Sequence, residues 1–91
     1  MQNKKKILVF TATYNEKENI ETFVNSILIN YPFVDILIID DSSPDKTFEK
    51  IQELQKKYKN LFLIIRKLKL GLDTAHKKAY DYAIQNNYDF L

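Results

Sequence analysis

The stretch Ile36-Leu37-Ile38-Ile39-Asp40-Asp41-Ser42-Ser43-Pro44-Asp45 decides the fold of this chain. A run of large apolar residues leads directly into two adjacent carboxylates, a residue type that is rarely buried without a partner. A short apolar run bounded by turn residues predicts a strand that is covered on both faces. Because ligands of open parallel sheets bind outside the carboxyl ends of the strands, Asp40 and Asp41 are predicted to border a ligand crevice.

The rest of the chain alternates between strand and helix patterns. Continuous apolar runs predict strands at 7–10, 34–39 and 61–65, and a fourth strand that begins at Tyr88 and is cut short at Leu91. Strands that alternate with helices predict a parallel sheet with right-handed crossovers. The predicted fold class is therefore α/β, a three-layer open parallel sheet with the order β-α-β-α-β-α-β, truncated in the fourth strand.

Three helices are predicted between the strands. Apolar residues recur at helical spacing from Glu16 to Tyr31-Pro32, where the proline disfavours helical geometry in the preceding residue. Ser43-Pro44-Asp45 predicts the start of the second helix, with a hydroxyl cap, a proline at the first position and an acid in the first turn. Gly71 precedes the third helix, whose small residues predict close packing against the sheet. The predicted inner face of that helix is Leu72, Ala75, Ala79 and Ala83.

Composition excludes several classes of protein. A net charge of +2 over 91 residues gives no case for nucleic acid as a partner. The absence of cysteine excludes disulfides and thiolate metal sites, and it agrees with a cytoplasmic location. No apolar run approaches the ~20 residues that span a bilayer. The basic lead-in Met1–Lys6 precedes an apolar run that is too short for a signal peptide.

Common ligand motifs are also excluded. A single glycine cannot make a dinucleotide fingerprint or a Walker A loop, and one histidine without cysteine cannot build a zinc cluster or a Cys-His pair. A receiver domain would carry its acid pair after the first strand, whereas here the pair follows the second. What remains is a set of three polar loops that should converge at the carboxyl edge of the sheet. These loops are Thr11–Lys17, Asp40–Lys46 and Arg66–Thr74.

Motifs in these loops resemble family 2 glycosyltransferases, above all the polyprenyl (dolichyl) phosphate mannosyltransferases. The motifs are Thr13-Tyr14-Asn15-Glu16, then Asp40-Asp41-Ser42-Ser43-Pro44-Asp45-Lys46-Thr47, then Lys69-Leu70-Gly71-Leu72. That family typically reads P-T-Y-N-E, D-D-G/N-S-P-D-G-T and R-x-x-K-x-G-L-G-T-A in this order and spacing. Each motif alone is weak, but three in register at successive strand ends are specific. The resemblance covers the whole chain.

The resemblance implies the Rossmann-like half of a GT-A fold, which binds a nucleoside diphosphate sugar, usually GDP-mannose. The nucleotide-binding residues that it implies are Ala12, Tyr14, Glu16, Ile39, Asp40 and Asp41. Arg66 and Lys69 follow as candidates on the phosphate side. The chemistry agrees, because a carboxylate such as Asp41 can accept paired hydrogen bonds from the ring N–H and amino group of a base. An aromatic ring such as Tyr14 can cover the face of that base.

The same loop residues also have structural interpretations. Tyr14 is equally well interpreted as an exposed loop aromatic. One of the two carboxylates, Asp40 or Asp41, is expected to form the turn, which leaves the other for a ligand. Glu16 is also suited to the first turn of the first helix, with Asn15 as its N-cap.

Two further residues favour a structural interpretation. Lys67 is predicted to be a solvated surface charge. His76, near the alanine face of the third helix, is predicted to be a partly buried structural histidine rather than a general base.

Several positions depart from the family pattern. Ala12 stands where the family usually has proline, and Ser42 and Lys46 replace turn residues. Asp73 and Ala79 occupy positions that are usually glycine. Lys46 and Asp73 are the least suited to such positions if their φ angles are positive.

The resemblance also implies a metal. In the family the fourth strand runs into an Asp-x-Asp motif that holds Mg²⁺ or Mn²⁺ on the diphosphate, and this sequence stops at Leu91, before the expected motif. The metal is thus expected for the full-length family, with its ligands outside this chain. Residues 1–91 are predicted to be the incomplete, N-terminal nucleotide-sugar-binding part of a glycosyltransferase domain, inert in sugar transfer by itself.

The full-length reaction implied is transfer of a hexose, mannose, from GDP-mannose to a polyprenyl (dolichyl) phosphate, in the cytoplasm or at the cytosolic face of a membrane. The implied partners are the nucleotide sugar, the polyprenyl phosphate and a separate C-terminal half. Two other classes stay open at this point. One is a non-catalytic nucleotide-binding module or split-gene relic, and the other is an α/β interaction domain without a ligand.

Overall fold

The computed structural model describes residues 6–66 and 72–89, and its strands and helices alternate. The order is β1 (Leu8–Thr13), α1 (Ile20–Asn30), β2 (Asp35–Asp40), α2 (Thr47–Gln55), β3 (Leu61–Ile65) and α3 (Leu72–Gln85). In the described residues the strands form one parallel sheet in the order β1-β2-β3. The predicted α/β class with a parallel sheet is therefore confirmed.

The strand register brings the carboxyl ends of the three strands to one level. Thr13 at the end of β1 is the partner of Asp40 at the end of β2. Asp40 is in turn the partner of Ile65 at the end of β3. The loops that follow the strands therefore start side by side, as the ligand crevice of an open α/β sheet requires.

The first hydrophobic core lies between the sheet and the pair α1 and α2. Side chains of β2 that point to this face, Ile36 and Ile38, are completely buried. Burial of a side chain of this size stabilises the fold by about 1.5–3 kcal/mol. The buried members of this core are Ile20, Val24, Leu28, Val34, Ile36, Ile38, Ile51, Leu54 and Leu61.

The second core lies on the opposite face of the sheet, under α3. Ala75, Ala79 and Ala83 are buried against Leu37 and Ile39 of β2. Alanine has no side chain beyond Cβ, so α3 can approach the sheet closely, as the sequence predicts. With helices on both faces, β2 is covered on each side, which explains why its apolar run is continuous rather than alternating.

The bounds of β1 and β2 differ from the prediction. β1 ends at Thr13 rather than Phe10, because residues 11–13 stay in register with residues 38–40 of the neighbouring strand. β2 runs from Asp35 to Asp40, one residue later at each end than predicted. The ends of these strands therefore include polar residues, which a prediction from apolar runs alone leaves out of the strand.

Two helix starts were predicted wrongly. α1 begins at Ile20, after a turn in which the N–H groups of Asn19 and Ile20 donate to the carbonyl of Glu16. Asn15 is therefore not the N-cap of α1, and Glu16 is not in its first turn. α2 begins at Thr47, because residues 43–46 form a turn that is closed by the hydrogen bond from Lys46 N–H to the carbonyl of Ser43.

The chain after α3 returns to the start of β1. The N–H of Asp89 donates to the carbonyl of Lys6 over 2.7 Å, and the N–H of Lys6 donates to Asp89 Oδ2 over 2.7 Å. This pairing lies where a fourth strand would start, beside β1. The strand itself stays a prediction, because Phe90 and Leu91 lie outside the described residues. No helix in the described part of the chain is both long and apolar enough to cross a bilayer.

Tyr88 ties this returning segment to β2. Its hydroxyl donates to Asp35 Oδ2 over 2.6 Å, and its ring stacks on Tyr82 and lies under the ammonium group of Lys6. Burial raises the pKa of Tyr88 above the usual value for tyrosine, and the hydrogen bond to Asp35 adds to that rise. The neutral phenol is thus the form that the folded protein stabilises.

This pKa shift predicts a loss of stability at alkaline pH. A raised folded-state pKa contributes stability that is complete below the unfolded value of about 10 and is lost as the pH rises above it. We expect the difference in free energy of unfolding between wild type and Tyr88→Phe to be constant at neutral pH and to shrink above about pH 10. Urea unfolding across this pH range checks the prediction. Tyr80→Phe, at an exposed tyrosine, is the matched control and should change the free energy of unfolding at neutral pH by no more than about 0.5 kcal/mol.

Candidate functional site at the carboxyl edge of the sheet

The described residues of the three polar loops start side by side at the carboxyl edge of the sheet, as predicted. The N–H of Asp41 donates to the carbonyl of Thr13 over 3.2 Å, and the N–H of Arg66 donates to the carbonyl of Asp40 over 2.8 Å. These two bonds continue the sheet pairing beyond the strand ends. The first residues of all three loops are therefore fixed relative to one another by the backbone.

Asp40 is the structural member of the acid pair. Asp40 is 0% exposed to solvent. Its Oδ1 accepts hydrogen bonds of 2.6 Å from both the Thr13 and the Ser43 hydroxyls, and its Oδ2 accepts one of 3.0 Å from the Ser43 N–H. Of the two roles left open by the sequence, turn formation belongs to Asp40. The geometry therefore places its carboxylate inside the protein and not in a ligand crevice.

The second loop holds the first by a set of hydrogen bonds that we term the loop clamp. Three consecutive backbone N–H groups, at 15–17, donate to the side chains of Ser43, Thr47 and Asp45 in turn. The donor–acceptor distances are 2.9 Å to Ser43, 3.0 Å to Thr47 and 3.2 Å to Asp45. The loop clamp thus fixes the loop between β1 and α1 without any ligand.

Asp45 is the charged member of the loop clamp. The Thr47 hydroxyl donates to Asp45 Oδ1 over 2.5 Å, and the Thr47 N–H donates to the same oxygen over 3.0 Å. These bonds, led by the one from the hydroxyl, lower the pKa of Asp45. The sequence predicts a different arrangement, with Ser43 as helix cap. The Ser43 hydroxyl instead serves Asp40 and the N–H of Asn15, so the cap prediction is wrong.

The hydroxyl residues of this network were missed as site residues by the sequence analysis. Thr13, Ser43 and Thr47 are all buried. The available signal for Ser43 and Thr47 is their position two residues after an aspartate in the segment that follows β2, where short polar side chains bond to nearby backbone groups. Thr13 ends β1 and carries no such signal. The backbone groups that the Ser43 and Thr47 side chains bond to belong to a loop that is distant in sequence. Ser43 and Asn15, for example, are 28 residues apart.

We expect loss of the Ser43 hydroxyl to destabilise the fold. Ser43→Ala leaves the half-buried Asn15 N–H without this acceptor and removes one hydrogen bond from the buried Asp40 carboxylate, which should cost about 1–3 kcal/mol in free energy of unfolding. Urea denaturation measures this cost. Ser26→Ala, at an exposed helix serine that bonds to the Phe23 carbonyl, is the matched control and should change stability by no more than about 0.5 kcal/mol. Equal effects of the two substitutions would contradict the loop clamp.

Two residues of the loop after β2 adopt the backbone conformation that glycine favours. Ser42 has φ 49° and Lys46 has φ 61°. These are the positions where the family motif has glycine or asparagine, so the motif residues that this chain lacks correspond to a real backbone requirement. A lysine in this region is strained, because its Cβ lies too close to the carbonyl oxygen.

This strain predicts a stabilising substitution. Lys46→Gly relieves the contact and should raise the free energy of unfolding by about 1 kcal/mol. Lys56→Gly is the control, because Lys56 has a φ of −69° and gains nothing from glycine. Thermal and urea unfolding of both variants distinguish them. A destabilised Lys46→Gly would show that the left-handed conformation at this position costs nothing.

Asp41 is paired with Arg66. Arg66 Nε donates to Asp41 Oδ1 over 2.6 Å and Arg66 Nη2 donates to Asp41 Oδ2 over 2.8 Å. The side chains are 9% and 8% exposed, so this is a largely desolvated ion pair. The guanidinium predicted for the phosphate side therefore lies against the carboxylate predicted for the base. Lys69, its predicted companion, lies outside the described residues, as do Lys67 and Gly71.

The remaining predicted residues occupy different places at this edge. Glu16 lines one cleft of about 200 Å³ beside β1, on the face that carries α1, and Ala12 borders this cleft although its side chain packs against the core under α3. Tyr14 is 40% exposed on the loop rim, which suits either interpretation of it. Ile39 is completely buried under α3, so its side chain does not reach the cleft. The other residues that line the cleft are Thr11, Thr13, Asn19, Ile20 and Phe23.

Asp41 is not among the residues that line the cleft of Glu16. The structure thus brings Ala12 together with Glu16, and Asp41 together with Arg66, as two neighbouring groups at one edge. His76 lies outside both groups. It is exposed rather than partly buried, and its ring packs edge-on against Phe10 at 5.2 Å.

The described residues offer no divalent metal site. They contain no group of three or more histidine, cysteine, aspartate or glutamate side chains placed to hold a metal ion. The described residues therefore do not by themselves supply the oxygen ligands that Mg²⁺ or Mn²⁺ needs.

Comparison with known proteins agrees with this geometry. Residues 8–86 match the model of a family described as glycosyl transferase family 2. The chain is 41% identical over 75 residues to the dolichol-phosphate mannosyltransferase of Pyrococcus furiosus, which covers 77% of this chain and 20% of the relative. It is 34% identical over 85 residues to the polyprenol monophosphomannose synthase of Mycolicibacterium smegmatis, which covers 92% of this chain and 32% of the relative.

Two further similarities extend this pattern. The undecaprenyl-phosphate mannosyltransferase of Micrococcus luteus is 27% identical over 86 residues, covering 94% of this chain and 35% of the relative. The solved structure of a mannosyltransferase from Pyrobaculum calidifontis in complex with GDP-Man and Mn²⁺ has a TM-score of 0.79 at 22% identity, covering 89% of this chain and 25% of the other. At that identity the structural likeness shows the fold. The chain spans about a third or less of the length of these relatives.

Proposed function

Because the chain belongs to glycosyl transferase family 2, we propose that it forms the nucleotide-sugar-binding part of a hexosyltransferase. In this proposal the hexose is mannose, the donor is GDP-mannose and the acceptor is a polyprenyl (dolichyl) phosphate. The observation that carries the proposal is the meeting of two motif-bearing loops, after β1 and β2, with Arg66 at the carboxyl edge of a parallel sheet. The similarity to three polyprenyl phosphate mannosyltransferases supports the choice of sugar and acceptor.

The geometry supports distinct tasks for the residues of the edge. The cleft beside Ala12 and Glu16 offers a concave surface, and the carboxylate of Glu16 can accept hydrogen bonds from sugar or base N–H and O–H groups. The exposed ring of Tyr14 can lie against the face of a base. Asp41 supplies a further acceptor, already oriented by Arg66.

The loop clamp supports binding by pre-organisation. Binding usually costs conformational entropy when loops become ordered on the ligand. Here the loop that carries Tyr14 and Glu16 is already held through Ser43, Asp45 and Thr47. The donor thus meets a loop that needs little further ordering.

We expect nucleotide binding without sugar transfer by this chain alone. Transfer requires stabilisation of the charge that develops on the departing diphosphate, which is usually the largest catalytic contribution. The 91 residues contain no Asp-x-Asp sequence, and the described residues hold no metal-binding group. Detectable mannosyl transfer by the purified 91-residue protein would overturn this expectation.

A panel of nucleoside diphosphates tests the binding itself. Calorimetry with GDP, UDP, ADP and CDP, with and without Mn²⁺, should show base-selective binding that does not depend on the metal. Asp41→Asn keeps the shape of the side chain but removes its charge, and we expect it to weaken binding of the preferred nucleotide by about tenfold. Asp81→Asn, on the surface of α3, should bind as the wild type does. Absence of binding to every member of the panel contradicts the proposal.

A second candidate function is a non-catalytic nucleotide-binding module, the interpretation that also covers a split-gene relic. It is favoured by the lack of a metal-binding group among the described residues. The two candidates differ in whether a separate C-terminal half restores transfer. Mannosyl transfer from GDP-mannose by a mixture of this chain and the C-terminal part of a relative supports the enzyme and contradicts the module.

A further inference from the structure

We propose that Arg66 sets the base specificity of the site by holding both oxygens of Asp41. While the ion pair is intact, Asp41 cannot read the 2-amino group of guanine, so the site binds GDP and inosine diphosphate with similar affinity. This inference rests on the proposed function, and it adds a specificity-determining residue to it.

The ion pair occupies one particular edge of the Asp41 carboxylate. Two separate nitrogens, Arg66 Nε and Nη2, each donate to a different oxygen, at 2.6 and 2.8 Å. Such parallel double bonds place the guanidinium across the edge between the two oxygens. That edge is therefore filled by the protein before any ligand arrives.

Arg66 is held at several points in addition to Asp41. Its Nη1 donates to the Thr74 hydroxyl at the start of α3 over 2.8 Å. Its N–H donates to the Asp40 carbonyl, and its own carbonyl accepts a hydrogen bond from the Ser42 hydroxyl. Displacing the guanidinium would leave a largely buried carboxylate without its counter-charge, which is strongly unfavourable. The ion pair is thus expected to persist when a nucleotide binds.

The chemistry of the bases then determines what Asp41 can read. The N1–H and 2-amino group of guanine present two parallel donors, as a guanidinium does, and together they need the same carboxylate edge. A carboxylate oxygen has a second lone pair, so a single N–H can still donate to Asp41 beside Arg66. Hypoxanthine has this N–H but lacks the amino group. The amino group of guanine therefore adds no bond to Asp41 in the wild-type site.

The test compares GDP with inosine diphosphate, which carry the same diphosphate, so that any phosphate contact of Arg66 cancels in the ratio of their affinities. Calorimetric dissociation constants for the two ligands should agree within about threefold for the wild type. In Arg66→Met the edge of Asp41 is free, and GDP should bind at least about tenfold more tightly than inosine diphosphate. Arg66→Lys, with a single charged nitrogen, should give an intermediate ratio. Lys46→Met removes a loop cation that does not touch Asp41 and should keep the wild-type ratio.

Each result decides the matter. A wild-type preference of more than about threefold for GDP, or an unchanged ratio in a folded Arg66→Met, overturns the role of Arg66 and leaves the proposed function standing. If circular dichroism shows Arg66→Met to be unfolded, the wild-type and Arg66→Lys ratios decide instead. Failure of the wild type to bind either ligand overturns the proposed function and this inference together.

Discussion

The buried carboxylate of Asp40 is the interaction on which the loop geometry depends. It is fully enclosed, yet it carries three hydrogen bonds, from the Thr13 hydroxyl and from the hydroxyl and N–H of Ser43. A polar group in such a place is tolerated when hydrogen bonds of this kind replace its hydration. Because Thr13 ends β1 and Asp40 ends β2, the same carboxylate joins two strand ends and the start of the second loop. The Ser43 hydroxyl also accepts a hydrogen bond from the Asn15 N–H, so the same network fixes the first loop.

The second carboxylate of the pair shows how neighbouring residues of one type acquire different tasks. Asp41 does not share the hydrogen bonds of Asp40. Its carboxylate forms an ion pair with the guanidinium of Arg66, the residue that follows β3. Its partner is charged and comes from a different loop, so the pair links the second and third loops as the loop clamp links the first and second. The carboxyl edge is thereby held together across all three strands. Such an edge is suited to binding, since little ordering remains to be done by a ligand.

Apolar periodicity predicted the fold well because the hydrophobic effect acts on residue type and spacing, which are visible in sequence. The run 36–39, the third strand at 61–65 and the alanine face of α3 all lie as expected. The ends of strands and helices that consist of polar residues were predicted less well. Residues 11–13 extend β1 because β2 offers them partners, and α2 starts at Thr47 because Ser43 is engaged by Asp40. Both outcomes depend on neighbours that are distant in sequence, and local propensity carries no information about them.

By itself the sequence determined the order of strands and helices, the burial of β2 on both faces, and the presence of an acid pair where a parallel strand ends. These features follow from the spacing of apolar side chains, a local property of the chain. The tertiary structure alone decided that Asp40 is enclosed, that Asp41 faces Arg66, and that Glu16 lies in a cleft apart from them. The physical reason is that a polar side chain takes its role from the donors and acceptors around it. Those groups come from three loops that only folding brings together.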